Sequence, residues 1–280
     1  MGDRHAAGQD SVALRVHLLG PPDILVDGHP MKVDTRKAVA LLAYLAVTGT
    51  PHSRDVLATL LWPGDDPDRA RGSLRRTLST LRSALADRWV RADREWVSFE
   101  PDTNVFVDLD SVRDRLAEIG EHGHPEREVC TRCVPILNDA ANLHRGDFLA
   151  GFSLRDSPDW DDWQSAQAEM HRRSLGGILE RLAIGQAAAG MYRQAIDAAE
   201  RWLSLDTLDE AAHRQLMLLN AWAGDRASAM EQYLKAVRVL DEELGVPPLP
   251  ETTELNDAIL EDDIPPAPSA GRRVTVAPER

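Results

Sequence analysis

Apolar residues recur along this chain with two periods, and the change from one to the other divides it. Near the start, Val12, Leu14, Val16 and Leu18 alternate with Ala13, Arg15 and His17, the period of two that predicts a half-buried strand. Pro21-Pro22 ends that strand. Ile24 to Val26 and Met31 to Val33 then flank Asp27-Gly28, a dipeptide favoured in tight hairpins. A small antiparallel sheet is therefore expected here.

The period next lengthens to that of a helix. Val39, Leu41, Leu42, Leu45 and Ala46 lie at helical spacing between Arg36 and Thr48, with Gly49 as a stop. Ser53 is placed to cap a second helix whose inner side is Val56, Leu57, Leu60 and Leu61. Asp66 before Pro67 starts a third, a capping carboxylate ahead of the imino acid that tolerates the first helical position. In that helix Leu74, Leu78, Leu81 and Leu85 form one stripe. Trp89-Val90 and Trp96-Val97-Ser98-Phe99, separated by Arg91-Ala92-Asp93-Arg94, predict a hairpin with a basic tip, and Val105-Phe106-Val107-Asp108 closes the region.

From there the chain is helical and mostly acidic, with an internal repeat of 34 residues: Ala189-Gly190 matches Ala223-Gly224, Ala195 matches Ala229, Ile196 matches Met230, and Leu182 matches Leu216. Small residues at fixed places in a unit of that length are similar to tetratricopeptide repeats, where they let paired helices approach closely. After Asp263 a Pro-rich stretch without helical period reads as a flexible tail or linker. The expected organisation is a disordered start over residues 1–10, a first domain over 11–110, a helical domain over 111–263 and the tail over 264–280.

Charge sharpens the picture. The chain of 280 residues carries −14 overall, which by itself argues against nucleic acid. Between residues 69 and 94, however, eight arginines face only Asp87 and Asp93. A local positive field attracts phosphate while the acidic remainder limits non-specific sticking. On the third helix, Arg69, Arg76, Ser79, Thr80 and Ser83 lie opposite the leucine stripe, with Arg71, Arg75 and Arg82 on its flanks. A cylinder packed on one side and rich in donors on the other fits the major groove of DNA.

The stretch LRVHLLGPPDILVDGHPM, with RKAVALLAYLAV and SRDVLATLLWPGDDPDRARGSLRRTLSTLRSAL after it, resembles the DNA-binding half of SARP-type bacterial transcriptional activators, itself similar to the winged helices of OmpR-type response regulators. LHRGDFLAGFSLRDSPDWDDWQSAQ resembles the entry of the bacterial transcriptional activator domain that accompanies it. The implied fold is an α+β N-terminal winged helix-turn-helix with small antiparallel sheets, followed by an all-α tetratricopeptide-like helical domain. The implied function is a sequence-specific activator that binds promoter repeats in double-stranded DNA as a homodimer and contacts RNA polymerase subunits.

In that reading Arg76, Ser79 and Thr80 address base edges, although OmpR-type proteins often carry a basic residue where Thr80 stands. Arg69, Arg71, Arg75, Thr77 and Arg82 grip phosphate, and Arg36, Lys37, Arg54, Arg91 and Arg94 add contacts from helix starts and the wing. Two rivals remain open: a repeat scaffold with little role in DNA binding, and the regulatory front of a longer ATPase.

Other chemistry is sparse. Cys130-Thr131-Arg132-Cys133 is a lone CxxC, whereas structural zinc takes four ligands. His122, His124 and His144 are near in sequence, but the simpler reading makes both cysteines small apolar residues on one helix face. Asp159, Asp161 and Asp162 beside Trp160 and Trp163 read as a helix start complementing the helix dipole. No phosphate-binding loop, dinucleotide fingerprint or nucleophile elbow occurs. Neither enzyme activity nor any metal or cofactor is expected. No apolar run approaches the length of a membrane span, and the first residues lack the apolar core of a secretory signal, so a cytoplasmic location is expected.

Overall fold

The computed structural model describes residues 13–125 and 128–268 and the backbone of residues 274–275. Val12 and the expected disordered start lie outside the described residues. The chain forms two compact units. The first takes the described residues up to Arg113 together with Leu143–His171, and the second takes Asp114–Asn142 and the residues from Arg172 onward. The first unit thus reaches beyond the boundary expected near residue 110.

In the first unit, β1 (Leu14–His17) pairs antiparallel with β2 (Asp23–Val26), which pairs with β3 (His29–Pro30). Asp27 and Gly28 both have positive φ, 48° and 79°, the twist that joins hairpin strands in two residues. The turn sets Val26 opposite His29, so the third strand begins directly after it, ahead of the expected Met31 to Val33. Three helices follow. Helix α1 (Arg36–Thr48) is capped by the Thr35 hydroxyl, which accepts from the Ala38 amide, and stops at left-handed Gly49. The two-residue strand β4 (His52–Ser53) leads into α2 (Arg54–Leu61), capped by the Ser53 side chain as the sequence predicts. Asp66 caps α3 (Pro67–Ala84), accepting from the Arg69 amide at 3.1 Å.

Strands β5 (Val90–Ala92) and β6 (Trp96–Phe99) form the expected hairpin, and β6 also pairs with β4, giving the order β4-β6-β5. This three-stranded sheet beside three helices is the winged helix-turn-helix. Next, β7 (Val105–Val107) returns parallel to β1, and Asp108 opens α4 (Asp108–Gly120). The Asp108 carboxylate is fully buried, where it accepts from the amides of Leu18 and Leu19 at 2.7 and 2.8 Å and from Leu109 at 2.9 Å. It satisfies the backbone where β1 ends, a task that local sequence does not announce.

The core of the first unit is completed from far downstream. Leu19 and Gly20 bridge to Phe148. Phe148, Leu149, Phe152, Leu154 and Trp160 bury their side chains in the same cluster as Leu14, Leu41, Leu57, Leu74 and Leu81. Gly20, at φ 129°, needs to be glycine: a Cβ there would sit 3.0 Å from Arg145 Cβ.

The second unit contains β8 (Glu128–Val129), α5 (Cys133–Leu143), and the later part of α6 (Pro158–Ala188). Helices α7 (Tyr192–Leu203), α8 (Glu210–Trp222), α9 (Arg226–Leu244) and α10 (Pro250–Glu261) follow. The repeat is real in three dimensions. Gly190 and Gly224 both turn the chain with positive φ, 74° and 84°. Ala195 and Ala229 are both fully buried, as are Leu182 and Leu216 to within 3%. Asp159 and Asp161 sit in the first turn of α6, as expected of a dipole-complementing start. In the expected tail, the Pro265 carbonyl accepts from the Trp222 indole, and Val274–Thr275 forms β9, paired with β8.

Candidate nucleic-acid interface

Helix α3 owes its orientation to burial. Leu74, Leu78, Leu81 and Leu85 are at most 3% exposed, so the stripe read from the sequence packs inward. Burying a leucine is worth about 1.5–3 kcal/mol, and four of them fix which face looks out. Arg69, Arg71, Arg75, Arg76 and Ser79 are exposed or half-exposed, and Thr80 and Arg82 are half-buried.

Thr77 is a correction. It is only 7% exposed, because positions 74, 77, 78 and 81 follow the i, i+3, i+4, i+7 rule of a single face. Its hydroxyl belongs to the inner side and is not available to phosphate.

The arginines differ sharply in how they are held. Arg71 makes a two-pronged bridge from α3 to Asp55 of α2, Nε to Oδ1 at 2.7 Å and Nη2 to Oδ2 at 3.0 Å. That hydrogen bond holds the Asp55 carboxyl below its ordinary value and raises Arg71. Arg69 lies 3.6 Å from Asp65, Arg82 2.9 Å from Asp87 and Arg88 2.7 Å from Asp27, while Arg91 pairs with Glu100. Apart from the half-buried Asp65, both members of each pair are solvent-exposed, where ion pairs are weak and screened by salt. Arg75, Arg76 and Arg94 have no carboxylate partner among the described residues, and Arg76 Nη2 donates only to Ser73 Oγ at 3.2 Å.

The wing is less basic at its tip than expected. Strand β5 takes in Arg91, so the turn is Asp93-Arg94-Glu95. Asp93 builds it, accepting from the amides of Glu95 and Trp96 at 2.8 Å, and those bonds lower its carboxyl pKa. Arg54 ties α2 to this turn, its Nε donating to the Asp93 carbonyl at 2.8 Å. A groove between the end of α3 and the wing is lined by Arg82, Arg88, Arg91 and the half-exposed Trp96. Sequence pattern alone does not single out Arg88 or Trp96 as site residues, although Arg88 falls within the positive window.

The helix-start residues of α1 are occupied elsewhere in the unit. Arg36 lies over the Phe152 ring at 4.8 Å and donates to the Gly151 carbonyl at 3.3 Å. Lys37 lies over Trp62 at 4.6 Å, and burial lowers its pKa against the pull of Asp65 and Asp156.

Winged-helix geometry in one unit and helix pairs in the other lead to a comparison with known proteins. The Bacterial transcriptional activator domain family matches residues 107–260. The chain belongs to that family. Among curated relatives of this family member, the regulatory protein AfsR of Streptomyces coelicolor is 27% identical over 92% of the chain, which spans 25% of AfsR. The transcriptional regulatory protein MoaR1 of Mycobacterium bovis is 26% identical over 89% of the chain and 79% of its own length. A solved structure of Mycobacterium tuberculosis EmbR, in complex with a low-affinity phosphopeptide, is similar with a TM-score of 0.68 at 23% identity, covering 91% of this chain and 66% of that one. The SARP-type resemblance and the fold read from the sequence therefore stand; AfsR is named a regulatory protein and MoaR1 a transcriptional regulatory protein. No helix among the described residues is long and apolar enough to cross a membrane.

The cysteine reading needs a second correction. Cys130 lies outside α5, before its first residue Cys133. The two thiols converge with His122 and His124 instead of sharing a helix face. His144 is not in that group.

Proposed function

We propose that this protein is a sequence-specific DNA-binding transcriptional activator whose α3 enters the major groove. The observation that carries the reading is the outward side of α3. Arg75 and Arg76 stand exposed and, among the described residues, without carboxylate partners, opposite a fully packed leucine seam. Arg76, with Ser79 and Thr80 beside it, addresses base edges, and Arg75 meets phosphate. Arg69, Arg71 and Arg82 add phosphate contacts by exchanging their carboxylates for DNA. Arg94 reaches out from the wing, with Arg54 and Arg91 behind it, while Arg36 and Lys37 serve mainly to hold α1 in place. One winged helix buries a modest interface, so useful affinity calls for two copies on repeated half-sites. The helical unit supplies the surface for a second copy or for RNA polymerase. The action is equilibrium binding in the cytoplasm, without chemical turnover.

Salt titration of binding to DNA from upstream of the neighbouring genes tests this. The logarithm of affinity should fall steeply with the logarithm of salt. Arg75→Ala should flatten that slope by about one and weaken all sequences alike. Arg76→Ala should instead relax preference at one base pair, by roughly 1–3 kcal/mol. Binding that ignores salt, or an Arg76→Ala protein with unchanged base preference, would overturn the assignment and leave the helical unit as the working part.

A further inference from the structure

Between α4 and α5 the second unit brings four soft or borderline donors to one point. The ligand atoms of His122, His124, Cys130 and Cys133 all lie within 4.8 Å of one another. The Cys133 sulfur is 3.3 Å from His122 Nδ1 and 3.2 Å from His124 Nε2. The Cys130 sulfur is 3.4 Å from His122 Nδ1 and 3.5 Å from the Cys133 sulfur. Zinc bonds of about 2.3 Å to sulfur and about 2.0 Å to nitrogen make a tetrahedron with edges of about 3.8 Å between sulfurs and about 3.6 Å between sulfur and nitrogen. These four separations, 3.2 to 3.5 Å, fall within a few tenths of an ångström of those edges, and the two remaining ones are no longer than 4.8 Å. We propose that His122, His124, Cys130 and Cys133 form a structural zinc site joining the end of α4 to the start of α5.

The surroundings suit a metal better than a chance gathering. His124 Nδ1 donates to the Pro125 carbonyl at 3.0 Å, which leaves the Nε2 lone pair facing the cluster. Metal-bound histidines are oriented by this kind of bond from the other ring nitrogen. Left-handed Gly123, φ 69°, turns the chain between the two histidines. The amides of Cys133 and Arg132 donate to the Cys130 sulfur, and the Cys133 amide also donates to the Cys130 carbonyl at 3.0 Å, a tight knuckle that presents both sulfurs to one side. Two thiolates and two neutral imidazoles neutralise Zn²⁺, the two thiol protons passing to solvent, so a half-buried site carries no net charge. Four protein ligands leave no open position, which marks a structural site and not a catalytic one.

The loop is also fitted to its neighbour. Val129 and Val134, each adjacent to one of the cysteines, press on α6 at Gly185, where a Cβ would lie 2.8 and 2.9 Å from their methyl groups. Zinc here fixes a loop whose contact with the helical unit tolerates no side chain.

The test is metal analysis of the full chain, purified under a thiol reductant without chelator. One zinc per chain is expected. Replacement by Co²⁺ should give the visible bands of a tetrahedral ion with a sulfur-to-cobalt charge-transfer band. Cys130→Ser should abolish that band, and His124→Ala should weaken zinc by more than the roughly 10–100-fold that loss of a supporting contact costs. The proposal is overturned if the folded wild-type chain, judged by circular dichroism, takes up no stoichiometric zinc or cobalt. It is equally overturned if the cobalt spectrum is octahedral and indifferent to Cys130→Ser, or if the two cysteines are recovered as a disulfide from reducing buffer. The wild-type measurement decides even where a variant fails to fold.

Discussion

Asp108 offers the sharpest test of how the first unit is held together. Alanine at this position removes a buried carboxylate that accepts three backbone amides. Two of those amides, from Leu18 and Leu19, belong to fully buried residues. Each orphaned buried donor costs about 1–3 kcal/mol, so Asp108→Ala should lose about 2–6 kcal/mol. Against a typical total of about 5–15 kcal/mol, that is enough to unfold much of the unit. Asparagine is a different matter. It retains one acceptor oxygen, and a single carboxylate oxygen, Oδ2, serves both Leu18 and Leu19. Burial already raises the Asp108 pKa in spite of the three amides, so the charge itself is costly there, and Asp108→Asn should lose only about 1–2 kcal/mol. Urea unfolding followed by circular dichroism gives the totals, and hydrogen exchange at the Leu18 and Leu19 amides locates the damage. An alanine variant within about 1 kcal/mol of wild type, with both amides still protected, would refute the reasoning.

Acid should also weaken the fold, through its histidines. Burial, aided by His144, lowers His171 to about 4, and burial likewise lowers His17, His52 and His213. Unfolded histidine takes its proton near pH 6.5, so between about 6.5 and 4 the unfolded chain binds more protons than the native one. Stability is full above that window and is lost as pH falls through it, with Asp108 acting in the opposite sense; a melting temperature equal at pH 7.5 and pH 5 would contradict this. Asp66→Ala removes the cap of α3 and should cost about 1 kcal/mol in urea unfolding, with weaker binding to every DNA sequence and no change in base preference.

Short-range pattern carries much of this architecture. The hairpin at Asp27-Gly28, the caps Ser53 and Asp66, the leucine seam and the 34-residue repeat are all legible in the order of residues. What stays hidden depends on distance or on scale. Strand β4 has two residues and no period of its own. Asp108 resembles any helix start until its partners, ninety positions upstream, are known. Thr77 is easily misplaced because a hydroxyl among arginines suggests phosphate, although its spacing from Leu74 and Leu81 already sets it inside. The histidine and cysteine cluster lacks a second CxxC, and only the fold shows that the spacing from His122 to Cys133 closes on itself.

The interrupted first unit bears on how the protein is made. Its aromatic plug, Phe148, Phe152 and Trp160, is encoded after a detour of the chain through the other unit. At roughly 5–20 residues per second, a ribosome takes several seconds to pass from Arg113 to His171, and the nascent sheet and three helices wait meanwhile with an unfilled apolar side. A gene fragment cut near residue 110 would leave that side open permanently, so the smallest piece of this chain that completes the first unit must run on to residue 171.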